Sequence, residues 1–188
     1  MQPMPPETAN DPRAEAILEF WFRGDAERKQ WFSKDPSFDD EIRVRFLSLY
    51  EEGVRGAFTA WRNSPRSCLA LIVLLDQFPR NMFRGSARAF ATDALALDAA
   101  RHAIASGHDR ALSKTEHTFI YLPFEHSENL ADQERALALF AGHPNAEWAQ
   151  RHYEIIKRFG RFPHRNAILG RQSAPAEIEF LREPGSSF

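Results

Sequence analysis

Three phrases hold the residues able to do chemistry. Gln77 to Gly85 reads QFPRNMFRG, Arg161 to Gly170 reads RFPHRNAILG, and Phe124 to Glu134 reads FEHSENLADQE. The first two each set a Phe before a Pro, then an Arg-Asn pair, then a Gly four residues past the Asn. Proline and glycine suit a corner, and Asn81 and Asn166 carry the short amide that satisfies turn backbone. A corner has no need of Arg80, Arg84 or Arg165, and these with Arg161 carry guanidinium forks that match carboxylates and small anions. The third phrase is acidic, with Glu125, Glu128 and Asp132, and Asp76 adds a carboxylate just before the first corner. From Ile155 to Ala176 there is no acidic residue, while Lys157, Arg158, Arg161, His164, Arg165 and Arg171 make that stretch strongly positive.

Two segments of opposite sign in a short chain invite pairing, and two readings of it are open. In one, the arginines lock to Asp76, Glu125, Glu128 and Asp132 as a structural cross-brace. In the other, arginines outnumber carboxylates in a cleft between the corners and a small anion fills the vacancy, with Asn81 and Asn166 orienting it. His126 and His164 are the histidines within these phrases. Either, beside Glu125, is a candidate for proton transfer near neutral pH.

Other chemistries lack their signatures. There is no H-E-x-x-H, no Glu-x-x-His repeated on a second helix, no glycine-rich phosphate loop and no G-x-S-x-G elbow. Cys68 is alone, so neither a disulfide framework nor a thiolate zinc site can be built. No metal or cofactor is expected.

The elements that must position these phrases read as helices from end to end. Asn10 or Asp11 can cap a first helix with Pro12 at its start and Ala14, Ile17, Leu18 and Trp21 on one face. A short segment with Trp31 and Phe32 follows, then a helix opened by Ser37 with Phe38, Ile42, Phe46, Leu49 and Tyr50 inward. Ser64 and Pro65 open the next helix, whose middle is apolar on every side and so belongs at the centre. Phe78 ahead of Pro79 is expected to end it. Thr92 or Asp93 starts a helix that stops at Gly107, and Ser113 with Glu116 forms a capping box before a helix reaching Pro123. Helices from Ser127 to Gly142, around Trp148 to Phe159, and near Pro175 to Leu181 complete the chain. No alternating β pattern is visible. The expectation is one all-α domain over residues 1–188, ordered from about 11 to 182, with eight or nine helices in antiparallel hairpins.

Composition narrows the partners. The chain has 188 residues, 24 basic and 26 acidic, for a net charge of -2, which is not the basic footprint of a nucleic-acid binder. Its longest aliphatic run, Leu69 to Leu75, is far too short to cross a bilayer. The start MQPMPPETAND has neither the charged nor the apolar part of a signal peptide, so the cytoplasm is expected. Four of the basic residues are lysines and the rest arginines, in a chain also rich in Ala, and most of these arginines are read as composition.

The stretches LLDQFPRNMFRGSARAFATDALAL, YLPFEHSENLADQ and RFGRFPHRNAILGR, in this order, resemble the bacterial family catalogued as domain of unknown function 924. The likeness runs from the ILEFWF helix to the AEIEFL helix. It implies an all-α fold similar to tetratricopeptide-like helical hairpins, and it carries no catalytic assignment. Two functions are weighed: a polar pocket for a small anionic metabolite, with or without catalysis, and a protein- or peptide-binding scaffold. The scaffold would draw groove anchors from Trp21, Phe22, Trp31 and Trp61.

Overall fold

The computed structural model describes residues 11–24 and 29–187, so the leading segment through Asn10, with its candidate cap, lies outside the described residues. Among these, every regular element is helical. The α-helical segments are α1 (Pro12–Trp21), α2 (Pro36–Val54), α3 (Pro65–Ile72), α4 (Phe78–Met82), α5 (Asp93–Ala105), α6 (Lys114–Glu125), α7 (Leu130–Leu139), α8 (Ala146–Phe159) and α9 (Pro175–Phe180). A π-helical turn, Val73–Gln77, joins α3 to α4 without a break, so these segments make eight helices, as the periodicity implies.

The capping chemistry explains most starts. Asp11 accepts a hydrogen bond from the Arg13 amide, Ser64 from the Ser67 amide, and Ser113 and Glu116 form the reciprocal capping box. Helix α2 begins one residue before Ser37. Its cap is Asp35, whose carboxylate takes the amides of Ser37 and Phe38 while Pro36 fills the first position.

The rod α3–π–α4 is the centre, and α1, α2, α5 and α6 pack around it. Its Phe78 is fully buried against Phe20, Trp21 and Phe46, with ring centroids 6.1, 5.6 and 4.8 Å away. Fully burying one such side chain stabilises by about 1.5–3 kcal/mol, so this cluster alone outweighs a modest backbone irregularity. Trp21, Trp31 and Trp61 are also in the core, which removes them as anchors of an open groove. Helices α5 to α8 follow as sequentially packed neighbours on short links, the order of antiparallel hairpins. A small second cluster of Ile155, Ile156 and Phe162, with Phe159 and Phe180 against it, holds the C-terminal corner.

The two Phe-Pro phrases do not repeat in space. The first was expected to end its helix at Phe78, yet Phe78 is helical (φ -58°, ψ -40°) and the helix runs on to Met82. A widened turn accommodates the proline: the Phe78 amide bonds to the Val73 carbonyl, five residues back. Pro79 has no N–H to give Leu75, and that carbonyl accepts the Thr92 hydroxyl at 2.6 Å instead. The second phrase does turn a corner. Gly160 ends α8 in the left-handed region (φ 69°), and Pro163 opens a 3-10 turn, Pro163–Arg165.

Candidate functional site

Irregular backbone delivers the polar groups. The π-turn sets Asp76 within the packed rod, and α4 contributes Arg80 one turn later. The N-terminus of α5 brings Asp93, tied to the π-turn through the bond from its neighbour Thr92 to Leu75. Helix α6 ends in Glu125 with His126 as its cap residue, α8 supplies His152, and the 3-10 turn supplies His164 and Arg165. These groups meet beside a hollow of about 400 Å³, near the lower end for small-molecule sites. Its wall includes Asp93, His126, Glu128 and Arg165 among Ala87, Phe90, Ala94 and Leu97.

Asp76 and His126 form a dyad. Asp76 is fully buried, and its Oδ1 lies 2.7 Å from His126 Nδ1 while Oδ2 accepts from Gln77 Nε2 at 2.6 Å. Burial works against the Asp76 charge, but Arg80 and His126 outweigh it and hold the carboxyl at about 2. Burial and the Arg80 charge push the His126 imidazole below its ordinary value, more than Asp76 raises it. The imidazole is therefore neutral near pH 7, and Nδ1 must carry its proton, because the ionised carboxylate can only accept. Nε2 is left with a lone pair, and His126 makes no other hydrogen bond among the described residues.

Arg165 is the second unusual group. Its side chain is 8% exposed and its guanidinium lies between the rings of Phe90 and Phe162, 4.5 Å from each centroid. Nη1 reaches Asp93 Oδ2 at 3.3 Å, and Nε is buried with no partner. Burial and the nearby Arg80 charge lower it to about 10, so it stays protonated at neutral pH. Arg80 holds Asp93 better, in a bidentate pair at 2.8 and 3.1 Å.

Glu125 stands next to His126 in sequence but plays another part. It is 2% exposed, Oε1 has no hydrogen-bond partner, and Oε2 is 3.6 Å from His152 Nδ1, which instead donates to the Trp148 carbonyl at 2.8 Å. Burial, with the Asp76 charge behind it, pushes the carboxyl up to about 8, so it is protonated at neutral pH. Burial likewise drives His152 down to about 3 and, with the Arg165 charge, His164 to about 4. The carboxylate partner of His126 is thus Asp76, not Glu125.

The remaining candidates brace the corners from outside the hollow. Arg84 and Asn81 grip Asp39 of α2, with Nε and Nη2 of Arg84 at 2.7 and 2.8 Å and Asn81 Nδ2 at 2.8 Å. Arg161 clamps Glu177 at 2.7 and 2.8 Å, and Asn166 reaches the same carboxylate at 3.3 Å. Asp132 takes Arg101 and the Ser127 hydroxyl. Glu128 is at once wall and brace: Arg171 holds it at 2.6 and 2.9 Å and the Phe162 amide donates at 2.8 Å. Burial alone would raise the Glu128 carboxyl, but these partners bring it below its ordinary value. An excess of arginine is therefore not found at the hollow, because Asp93, absent from the sequence-based list, balances it. His152 was also missed. A histidine on the apolar stripe of α8 was the available signal.

No group of three His, Cys, Asp or Glu able to hold a metal occurs among the described residues, and no helix there is long and apolar enough to cross a membrane. The sequence profile of a family described as a bacterial protein of unknown function, DUF924, matches residues 17–185. The solved structure of the protein of unknown function ATU0120 from Agrobacterium tumefaciens is similar, at 43% identity and a TM-score of 0.86. The alignment covers 90% of this chain and 96% of that one. No curated protein matches the chain.

Proposed function

We propose, for a chain that belongs to the bacterial family of unknown function DUF924, that it binds a small anionic metabolite in the hollow and moves a proton on it. Arg165 carries the reading. A guanidinium has five N–H donors, and this one, nine-tenths buried on the wall of a hollow, uses one of them in a 3.3 Å bond. A brace alone has no need of such unused donors, whereas an anion does. In this reading Arg165 holds the anionic head, Asp76 fixes the tautomer of His126, and His126 Nε2 takes a proton from the ligand and returns it. A positioned base of this kind contributes roughly 10²–10⁴-fold to a proton transfer. The protein is taken to be cytoplasmic and its hairpins to stack in the tetratricopeptide manner. Neither assignment enters the chemistry.

Thermal unfolding against a panel of small carboxylates and phosphates tests the site. A specific ligand at a hundred times its Kd adds about 2.7 kcal/mol to the wild type. Arg165→Leu keeps an apolar side chain between Phe90 and Phe162 and leaves Asp93 its bidentate pair with Arg80, so it is expected to fold, at some cost in stability, and to lose the ligand-induced shift. An equal shift in both proteins rejects the site.

A further inference from the structure

The hollow offers unused hydrogen-bond donors but no unbalanced charge. Arg80 faces Asp76 and Asp93, Arg165 shares Asp93, and Arg171 grips Glu128, so three guanidinium groups meet three carboxylates. An anion entering alone would add a negative charge to a partly buried, balanced set, which is unfavourable unless a positive charge arrives with it. One group on the wall can accept that charge: the imidazole of His126, whose Nδ1 is committed to Asp76 and whose Nε2 is bare. The charged and titratable groups around this imidazole are Asp76 of the π-turn, Arg80 of α4, Asp93 of α5, His152 of α8, Arg165 and Glu128 on the same hollow and, on its own element, Glu125. Asp76 and Asp93 favour its protonation and Arg80 opposes it. A negative charge on neighbouring Arg165 adds to the favourable side. His164, beside Arg165 in the same turn, does not line the hollow.

We infer that the ligand is a small monocarboxylic acid, its carboxylate on the open edge of Arg165 and its proton on His126 Nε2. The ligand is already a carboxylate near neutral pH, so the proton comes from the buffer: the bond to hydrogen in the buffer acid breaks, the N–H bond of the imidazolium forms, and one proton enters the site per carboxylate. This rests on the anion-site reading above and adds the class of ligand. The non-polar walls suit a short hydrocarbon tail: Ala87, Ala91, Ala94, Leu97 and Leu169 offer only carbon. Phosphate brings a second charge near neutral pH and the wall has no second bare nitrogen for it, so it binds at least tenfold more weakly.

Calorimetric titration of the whole protein with butanoate, at about pH 7.5 in two buffers of different ionisation heat, counts the protons. The expected result is about one proton taken up per butanoate bound, with Kd weakening about tenfold per pH unit above neutrality. His126→Gln, which keeps a donor for Asp76, is expected to bind more weakly and with no uptake. Binding without uptake in the wild type overturns the inference and leaves the anion site standing. Equal uptake in both proteins puts the proton elsewhere and also overturns it. If the variant fails to fold, the wild-type count decides alone. No binding of butanoate, by heat or by melting temperature, overturns this inference, while the panel of carboxylates and phosphates with Arg165→Leu decides the anion site separately.

Discussion

Glu125→Gln is expected to be more stable than the wild type at alkaline pH, by about 4 kcal/mol, and nearly equal to it at pH 5. Glu125 is buried, Oε1 lacks a partner, and its carboxyl titrates at about 8 rather than its ordinary 4.5. Between those two values the folded chain holds a proton that the unfolded chain has lost, so wild-type stability falls as pH rises through that window. Above about pH 8 the loss is complete, since folding must then bury the charge or hold the proton against the solvent. Each unit of difference is about 1.4 kcal/mol, which sets the size of the effect. The amide of Gln has the shape of the neutral acid and nothing to ionise. His126, His152 and His164 impose the opposite slope at lower pH, because neutral imidazoles in the fold gain protons on unfolding. They are common to both proteins, so the difference between two urea titration series isolates Glu125. Parallel curves from pH 5 to 9 would show that this carboxyl is not buried as a neutral acid.

Asp76→Ala is expected to lose about 3–5 kcal/mol, the usual cost of removing one partner from a buried charged network. The Gln77 amide and the His126 Nδ1–H would both lose their acceptor, and a cavity would open in the central rod. Arg80 keeps its bidentate pair with Asp93, which holds the loss within that range. The variant should also change the acid limb of stability. The folded Asp76 carboxyl sits at about 2, below its ordinary 3.8, so its contribution is present above 3.8 and fades as pH falls through 2. In the variant that part of the acid limb flattens. A loss below about 1 kcal/mol, with an unchanged acid limb, would mean that the dyad does not form as described.

The helices were legible because local signals agree with the packing. Ser113 with Glu116, Pro65 after Ser64, and the apolar face of Ala14, Ile17, Leu18 and Trp21 all do in the fold what they do in sequence. Pro79 misled because the cost of a proline in a helix depends on what satisfies the orphaned carbonyl. Here it is Thr92, the residue ahead of α5 and 17 residues away. The polar phrases were also legible as phrases. Asp76, His126, Glu128 and Arg165 do converge, Arg80 joins them through Asp93, and Arg171 through Glu128. Their sorting was not legible, since Asn81 and Arg84 turn to Asp39, some forty residues back on α2, and no local pattern records that contact. Asp93 was read only as the start of a helix, and that position is what sets it between two arginines.

Everything proposed for the hollow turns on a neutral His126, held by Asp76 and with its Nε2 bare. Nitrogen-15 spectra of histidine-labelled protein, assigned with His126→Gln, read that nitrogen directly. The expected spectrum is that of the Nδ1–H tautomer with an unprotonated Nε2 near pH 7, and of an imidazolium once butanoate is bound. A His126 already protonated at Nε2 in the free protein, or one whose signals ignore saturating butanoate, would contradict it.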